Sequence, residues 1–133
     1  NRFYEPDIDI EKMTMGSASI FSTEAELRTT LRWTGILCGK DKKLELCTST
    51  GVHSGEAAIK VLLAGAGAVQ VCSVLYEKGL GMISTMNETI SNWMDKKGFK
   101  TIDEFRGMMT YADADHAERY ERAQFMKYFS NQK

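Results

Sequence analysis

Two stretches of small residues stand where a short apolar run gives way to a helix-compatible one: Thr48-Ser49-Thr50-Gly51-Val52 and Val71-Cys72-Ser73. Small side chains let backbone N–H groups approach an anion closely, and the start of a following helix adds a favourable dipole. The chemistry such a pair could perform is phosphate binding. Tight turns between strand and helix use the same residue types for steric reasons alone, so Thr50-Gly51 read in isolation is equally a structural turn.

Other reactive residue types give less. Cys38, Cys47 and Cys72 are three widely spaced cysteines without C-x-x-C spacing, which is neither a disulfide framework nor a zinc site. Cys47 and Cys72 are expected to be small buried residues. His53 and His116 are far apart, so no metal site is expected. His53 reads as the start of a helix and not as a general base, and the eight methionines read as core filling.

Several function classes drop out on bulk properties. A net charge of -1 does not make the basic surface that nucleic-acid binding needs. No apolar run approaches the roughly 20 residues of a membrane span, and the first residues lack a signal-peptide pattern. The 43% apolar and 26% charged fractions are those of an ordinary globular protein. A cytoplasmic location is the expectation.

The elements that must position the two small-residue stretches can be read from spacing. Asp7-Ile8-Asp9-Ile10 alternates as an edge strand would, and Gly16 with the serines after it suggests a turn or a second extended stretch. Thr23-Glu24-Ala25-Glu26 fits a capping box and opens a helix. Its apolar face is Leu27, Leu31, Thr34 and Cys38, widened by Trp33 and Ile36, and Gly39 stops it. Residues 43–48 predict a strand, Ser54 caps the next helix, and Gly65-Ala66-Gly67 ends that helix. Residues 68–73 predict a second strand. Strand, helix and strand make a βαβ unit with parallel strands. Both strands are mostly apolar, as strands covered on both faces are, with Glu45 and Gln70 as the polar interruptions. A long helix around Met86, Ile90 and Trp93 follows and ends at Gly98. Thr101-Ile102-Asp103-Glu104 fits another capping box, and a final helix is expected beyond the polar stretch 111–115.

The segments Cys47-Thr48-Ser49-Thr50-Gly51-Val52-His53-Ser54-Gly55-Glu56 and Leu62-Leu63-Ala64-Gly65-Ala66-Gly67-Ala68-Val69-Gln70-Val71-Cys72-Ser73 resemble the last two strands of dihydroorotate dehydrogenases. Trp93-Met94-Asp95-Lys96-Lys97-Gly98-Phe99 and Asp103-Glu104-Phe105-Arg106-Gly107 are similar to that family's C-terminal signature. The opening Asn1-Arg2-Phe3-Tyr4-Glu5-Pro6-Asp7-Ile8-Asp9-Ile10 resembles the end of strand six in a bacterial dihydroorotate dehydrogenase-like branch. The resemblance implies an α/β fold, namely the C-terminal portion of a (β/α)8 TIM barrel: a βαβα unit with additional C-terminal helices. In such barrels the loops after strands seven and eight often bind phosphate. It implies FMN as cofactor, held through its phosphate by Thr50, Gly51, Cys72 and Ser73. It implies dihydroorotate oxidation in pyrimidine biosynthesis, with Asn1 at the substrate-binding asparagine. Thr50 and Cys72 stand where the family often has glycine, and a β-carbon there narrows the room for phosphate.

A whole barrel takes about 250 residues, against 133 here. The expected division is a barrel part over 1–110 and a helical extension over 111–133. The family's catalytic base loop and flavin-contacting lysine have no counterpart, so no catalytic residue is assigned and the chain alone is expected to be inactive. The alternative is a non-catalytic α/β module that self-associates. Either reading leaves open sheet edges and uncovered faces around Trp33, Ile59, Leu62, Ile90 and Trp93, which predicts a homo-oligomer or association with the missing N-terminal part.

Overall fold

The computed structural model describes residues 6–112. Asn1 and most of the expected extension, 113–133, therefore lie outside the described residues.

An exposed antiparallel hairpin comes first, β1 (Pro6–Asp9) paired with β2 (Thr14–Ser17). Its turn is held by Asp9, whose Oδ1 accepts the N–H groups of Lys12 at 3.0 Å and Glu11 at 3.1 Å. These bonds, that from the Lys12 backbone foremost, hold the Asp9 carboxyl below its usual range. Thr23 opens the next element as expected. Its N–H donates to Glu26 Oε1 at 2.7 Å, and one 3-10 turn (Glu24–Glu26) leads into α1 (Leu27–Lys40).

The centre is the βαβ unit read from the sequence. β3 (Cys47–Thr48) and β4 (Ala68–Val69) are parallel, with Cys47 opposite Ala68 and Thr48 opposite Val69. Between them lies α2 (Gly55–Leu63), capped by Ser54, whose Oγ accepts the Ala57 N–H at 3.2 Å. Both strands are far shorter than the six residues expected for each, because a two-stranded ladder has hydrogen-bond partners only where the two segments overlap. The expectation that both faces are covered is also corrected. Thr48 points into the helix layer, where its Oγ1 lies 3.1 Å from that of Thr34, whereas Cys47, Ala68, Glu45 and Gln70 are exposed.

The predicted long helix does not follow β4 directly. A short helix, α3 (Ser73–Lys78), precedes α4 (Met82–Lys97), which ends on Gly98 in the left-handed region at φ 80°. α4 crosses α2 closely at Gly55, where a β-carbon would lie 2.4 Å from Thr89 Cβ. Val52, Ala57 and Ala58 form the core beneath the βα loop, packed by Leu27, Val69, Val71 and Ile90. Of the faces expected to lack cover, Ile59 and Leu62 are buried by the chain's own helices, while Trp33 is 52% exposed under Arg32, contrary to its expected burial. Among the described methionines Met86 is buried and Met82 and Met94 are half-buried, while Met13, Met15, Met108 and Met109 are exposed, so the core-filling reading fails for those four.

The segment after α4 closes the far end. A 3-10 turn (Ile102–Glu104) stands where a longer helix was expected, because the chain turns to satisfy helix termini. Gly107 and Met109 donate their N–H groups to the Leu62 and Leu63 carbonyls, and Tyr111 donates to Gly35 O. Leu62 and Leu63 carry the last carbonyls of α2, which have no i+4 donor within their own helix, whereas Gly35 lies inside α1. Phe105 anchors the turn, fully buried against Trp93 and Phe99 at centroid distances of 5.0 and 5.5 Å. Phe105→Ala is expected to cost about 3–5 kcal/mol of stability through lost transfer energy and a residual cavity, read as a fall in the urea midpoint at unchanged slope.

Candidate functional site

Parallel pairing puts the C-terminal ends of β3 and β4 at one edge of the sheet, so the two small-residue stretches become neighbours. After Thr48 the chain turns through Thr50 and Gly51, both with φ of 79°. Thr50 adopts this conformation against the ordinary preference of a residue with a β-carbon. Gly51 is fixed by space as well, since a β-carbon there would lie 2.2 Å from the Leu27 backbone N. Thr30 Oγ1 donates to Ser49 O at 3.3 Å and fastens the same loop to α1.

The second stretch is fastened by a residue to which sequence reasoning assigned no role. Ser22, just before the Thr23 cap, donates its N–H to Ser73 Oγ at 2.9 Å, and its Oγ donates to the same atom at 3.1 Å. Ser22 Oγ also lies 3.1 Å from His53 Nε2. On the far side of the ring, His53 Nδ1 faces Glu77 Oε2 of α3 at 3.6 Å. Ser73, Ser22, His53 and Glu77 thus form one polar chain across the ends of β3 and β4, with His53 only 4% exposed. The available signal was positional. Ser22 and His53 each sit one residue before a helix cap, where a polar side chain can reach a neighbouring loop.

The chain has the order of a hydroxyl, imidazole and carboxylate triad. Ser22 is buried, however, and its N–H is committed to Ser73, so the group best placed to hold an oxyanion is already used. The arrangement ties loops together; it does not present a nucleophile. The N–H groups of Thr50, Gly51 and Ser73 find no acceptor among the described residues. Of the residues expected at the phosphate, Gly51 is buried, Thr50 and Ser73 are half-buried, and Cys72 is exposed. Asn1 lies outside the described residues. Among the described residues no group of His, Cys, Asp and Glu could hold a metal ion.

The cysteines depart from expectation. Cys47 and Cys72 are exposed, and Cys38 alone is buried, its Sγ 3.3 Å from Gly65 O. Pleat alternation explains Cys47: with Thr48 turned into the helix layer, its neighbour must face out. Burial pushes the Cys38 thiol pKa up.

These elements are mixed α/β, with parallel strands joined through a helix. No family model matches the chain. Its curated homologues are dihydroorotate dehydrogenases. It is 43% identical over 63 residues to the dihydroorotate dehydrogenase (fumarate) of Trypanosoma brucei brucei, covering 47% of this chain and 20% of that one. It is 44% identical over 57 residues to the Trypanosoma cruzi enzyme, 43% of this chain and 18% of that one. A putative dihydroorotate dehydrogenase A (fumarate) of Streptococcus uberis is 33% identical over 70 residues, 53% of this chain and 22% of the relative. The chain therefore spans about a fifth of the length of the relatives it matches. Among solved structures, a DHODH of Eimeria tenella in complex with ferulenol superposes with TM-score 0.62 at 19% identity, over 71% of this chain and 24% of that one. The fold is shared with that part of the enzyme. No helix among the described residues is long and apolar enough to cross a membrane.

Thiol chemistry tests this geometry. With a disulfide reagent at neutral pH, Cys47 and Cys72 should react quickly and Cys38 only on unfolding, so a folded sample yields two fast thiols and a denatured one yields three. Fast reaction at Cys38 would contradict the packing of α1 against Gly65.

Proposed function

We propose that this chain supplies the flavin-phosphate end of an FMN-dependent oxidoreductase that converts dihydroorotate to orotate, as the last strands of a (β/α)8 barrel. The observation that carries the reading is the juxtaposition of the Thr50-Gly51 turn and Ser73 at one sheet edge, in a chain homologous to dihydroorotate dehydrogenases.

The residues present fit a phosphate. Backbone N–H groups at Thr50, Gly51 and Ser73 lack acceptors among the described residues, and Ser73 adds a hydroxyl. Gly51 keeps its close approach to α1. Thr50 retains the left-handed turn in spite of its β-carbon, and Cys72 is exposed. When bound, FMN supplies the two-electron acceptor for oxidation of the pyrimidine substrate. This chain's part is to hold the phosphate and so fix where the flavin lies; Asn1 is the residue assigned to the substrate.

The two-stranded β3–β4 sheet has unpaired outer edges among the described residues and an exposed face with Cys47 and Ala68 side by side, which favours a partner that continues the sheet. The rest of a barrel is that partner in this reading, and a second copy of the chain is the alternative. The chain alone then binds flavin without turning substrate over.

Flavin fluorescence gives the test. The full 133-residue chain should bind FMN about tenfold or more tightly than riboflavin, since charge-assisted hydrogen bonds to phosphate are each worth about 1.5–3 kcal/mol. It should show no dihydroorotate oxidation with an artificial acceptor. Equal affinity for the two flavins, or turnover that tracks this polypeptide, would overturn the reading.

A further inference from the structure

We propose that the apolar face of the β1–β2 hairpin is a self-association surface, on which a second copy of this chain packs face to face by two-fold symmetry.

The register sorts the hairpin into two faces. Residues opposite each other in an antiparallel ladder lie on one side, and neighbours along a strand alternate. Ile8 opposite Met15 and Pro6 opposite Ser17 make one side. Asp7 opposite Gly16 and Asp9 opposite Thr14 make the other. Both carboxylates of the strands therefore sit on the second side, away from Ile8 and Met15. Ile10 and Met13 extend the apolar content into the turn.

The apolar side is bare. All residues from Pro6 to Ser17 are exposed. Ile8, Ile10, Met13 and Met15 are 64, 79, 88 and 71% exposed. Monomeric proteins rarely keep large contiguous apolar patches in water, and a two-stranded hairpin without cover is marginally stable. β1 and β2 form a sheet separate from β3 and β4. A partner that continues the β3–β4 ladder does not cover the hairpin by doing so, and the hairpin surface stands whether or not flavin binds.

Charge selects the occupant. The cover must be apolar and must leave Asp7 and Asp9 in water, because burying an unpaired carboxylate is costly. A second copy of the same face meets both demands. In a two-fold contact with its axis along the strands, Ile8 of one copy stacks on Met15 of the other, and the reverse. The two rows of carboxylates then face outward on opposite sides. Lys12, 3.3 Å from Asp9, offsets part of their charge. Two such ribbons in contact remove about 1,000 Å² from water, near the lower bound of a specific interface, so the expected affinity is micromolar. Salt screens the outward carboxylates and leaves the apolar contact in place, so high salt should not dissociate the dimer.

Sedimentation equilibrium of the full chain tests the surface. The expected result is a monomer–dimer equilibrium in the micromolar range that persists in high salt. Ile8→Lys and Met15→Lys should each weaken association about a hundredfold or more, since two-fold symmetry enters each buried charge twice. Asp7→Asn, on the opposite face, should leave the affinity unchanged. Should the lysine variants fail to fold, a mixture of differently isotope-labelled wild-type copies gives the reading, with intermolecular contacts expected between the Ile8 and Met15 methyl groups. A wild-type chain that stays monomeric at high micromolar concentration overturns the proposal. So does a dimer that both lysine variants form with wild-type affinity, or one without those methyl contacts, since either places the association elsewhere.

Discussion

The approach of Gly51 to the backbone of Leu27 is the constraint on which the site depends. Only a residue without a β-carbon lets the end of β3 lie against the first turn of α1, since any β-carbon would sit 2.2 Å from Leu27 N. The contact fixes where the β3 loop turns relative to the start of α1. Two hydroxyl contacts keep it in place, Thr34 with Thr48 and Thr30 with Ser49 O. With α1 fixed on β3, the residues just before α1 are carried to the strand ends, and this is how Ser22 comes to lie between His53 and Ser73.

Convergence then follows from topology. Parallel strands joined by a helix present the same end at the same edge, so each βα loop adds a group to one locus. Ser22 enters from the segment before α1, His53 from the loop after β3, and Ser73 and Glu77 from α3. A buried imidazole between a hydroxyl and a carboxylate keeps its polar atoms partnered, which burial without partners would make costly. The same four residues bind the loops at the ends of β3 and β4 together.

The local parts of this arrangement were legible in the sequence because their causes are local. The Thr23–Glu26 and Ser54 caps and the Gly98 stop depend on residues within one helical turn, and they stand where the spacing put them. The parallel βαβ order was legible for the same reason: strand, helix and strand leave no other short connection. Strand length was not, because a ladder extends only where a neighbour overlaps. The exposure of Cys47 depends on which face of the pleat α1 and α2 cover, and Trp33 stays exposed because α1 buries the side carrying Thr34, Gly35 and Cys38. The Ser22–His53–Ser73 chain was not legible at all. Its members are 31 and 51 residues apart, and no local rule links them. The Thr50, Gly51, Cys72 and Ser73 assignment came from resemblance, and the structure adds their neighbourhood at one sheet edge.

The most direct test of the account is an amide shift map of the chain titrated with FMN. The account predicts that Thr50, Gly51, Ser22 and Ser73 shift together along one binding curve, with the hairpin amides of β1 and β2 unmoved. Shifts confined to the hairpin or to α4, or separate curves for Gly51 and Ser73, would contradict a single phosphate site at the ends of β3 and β4.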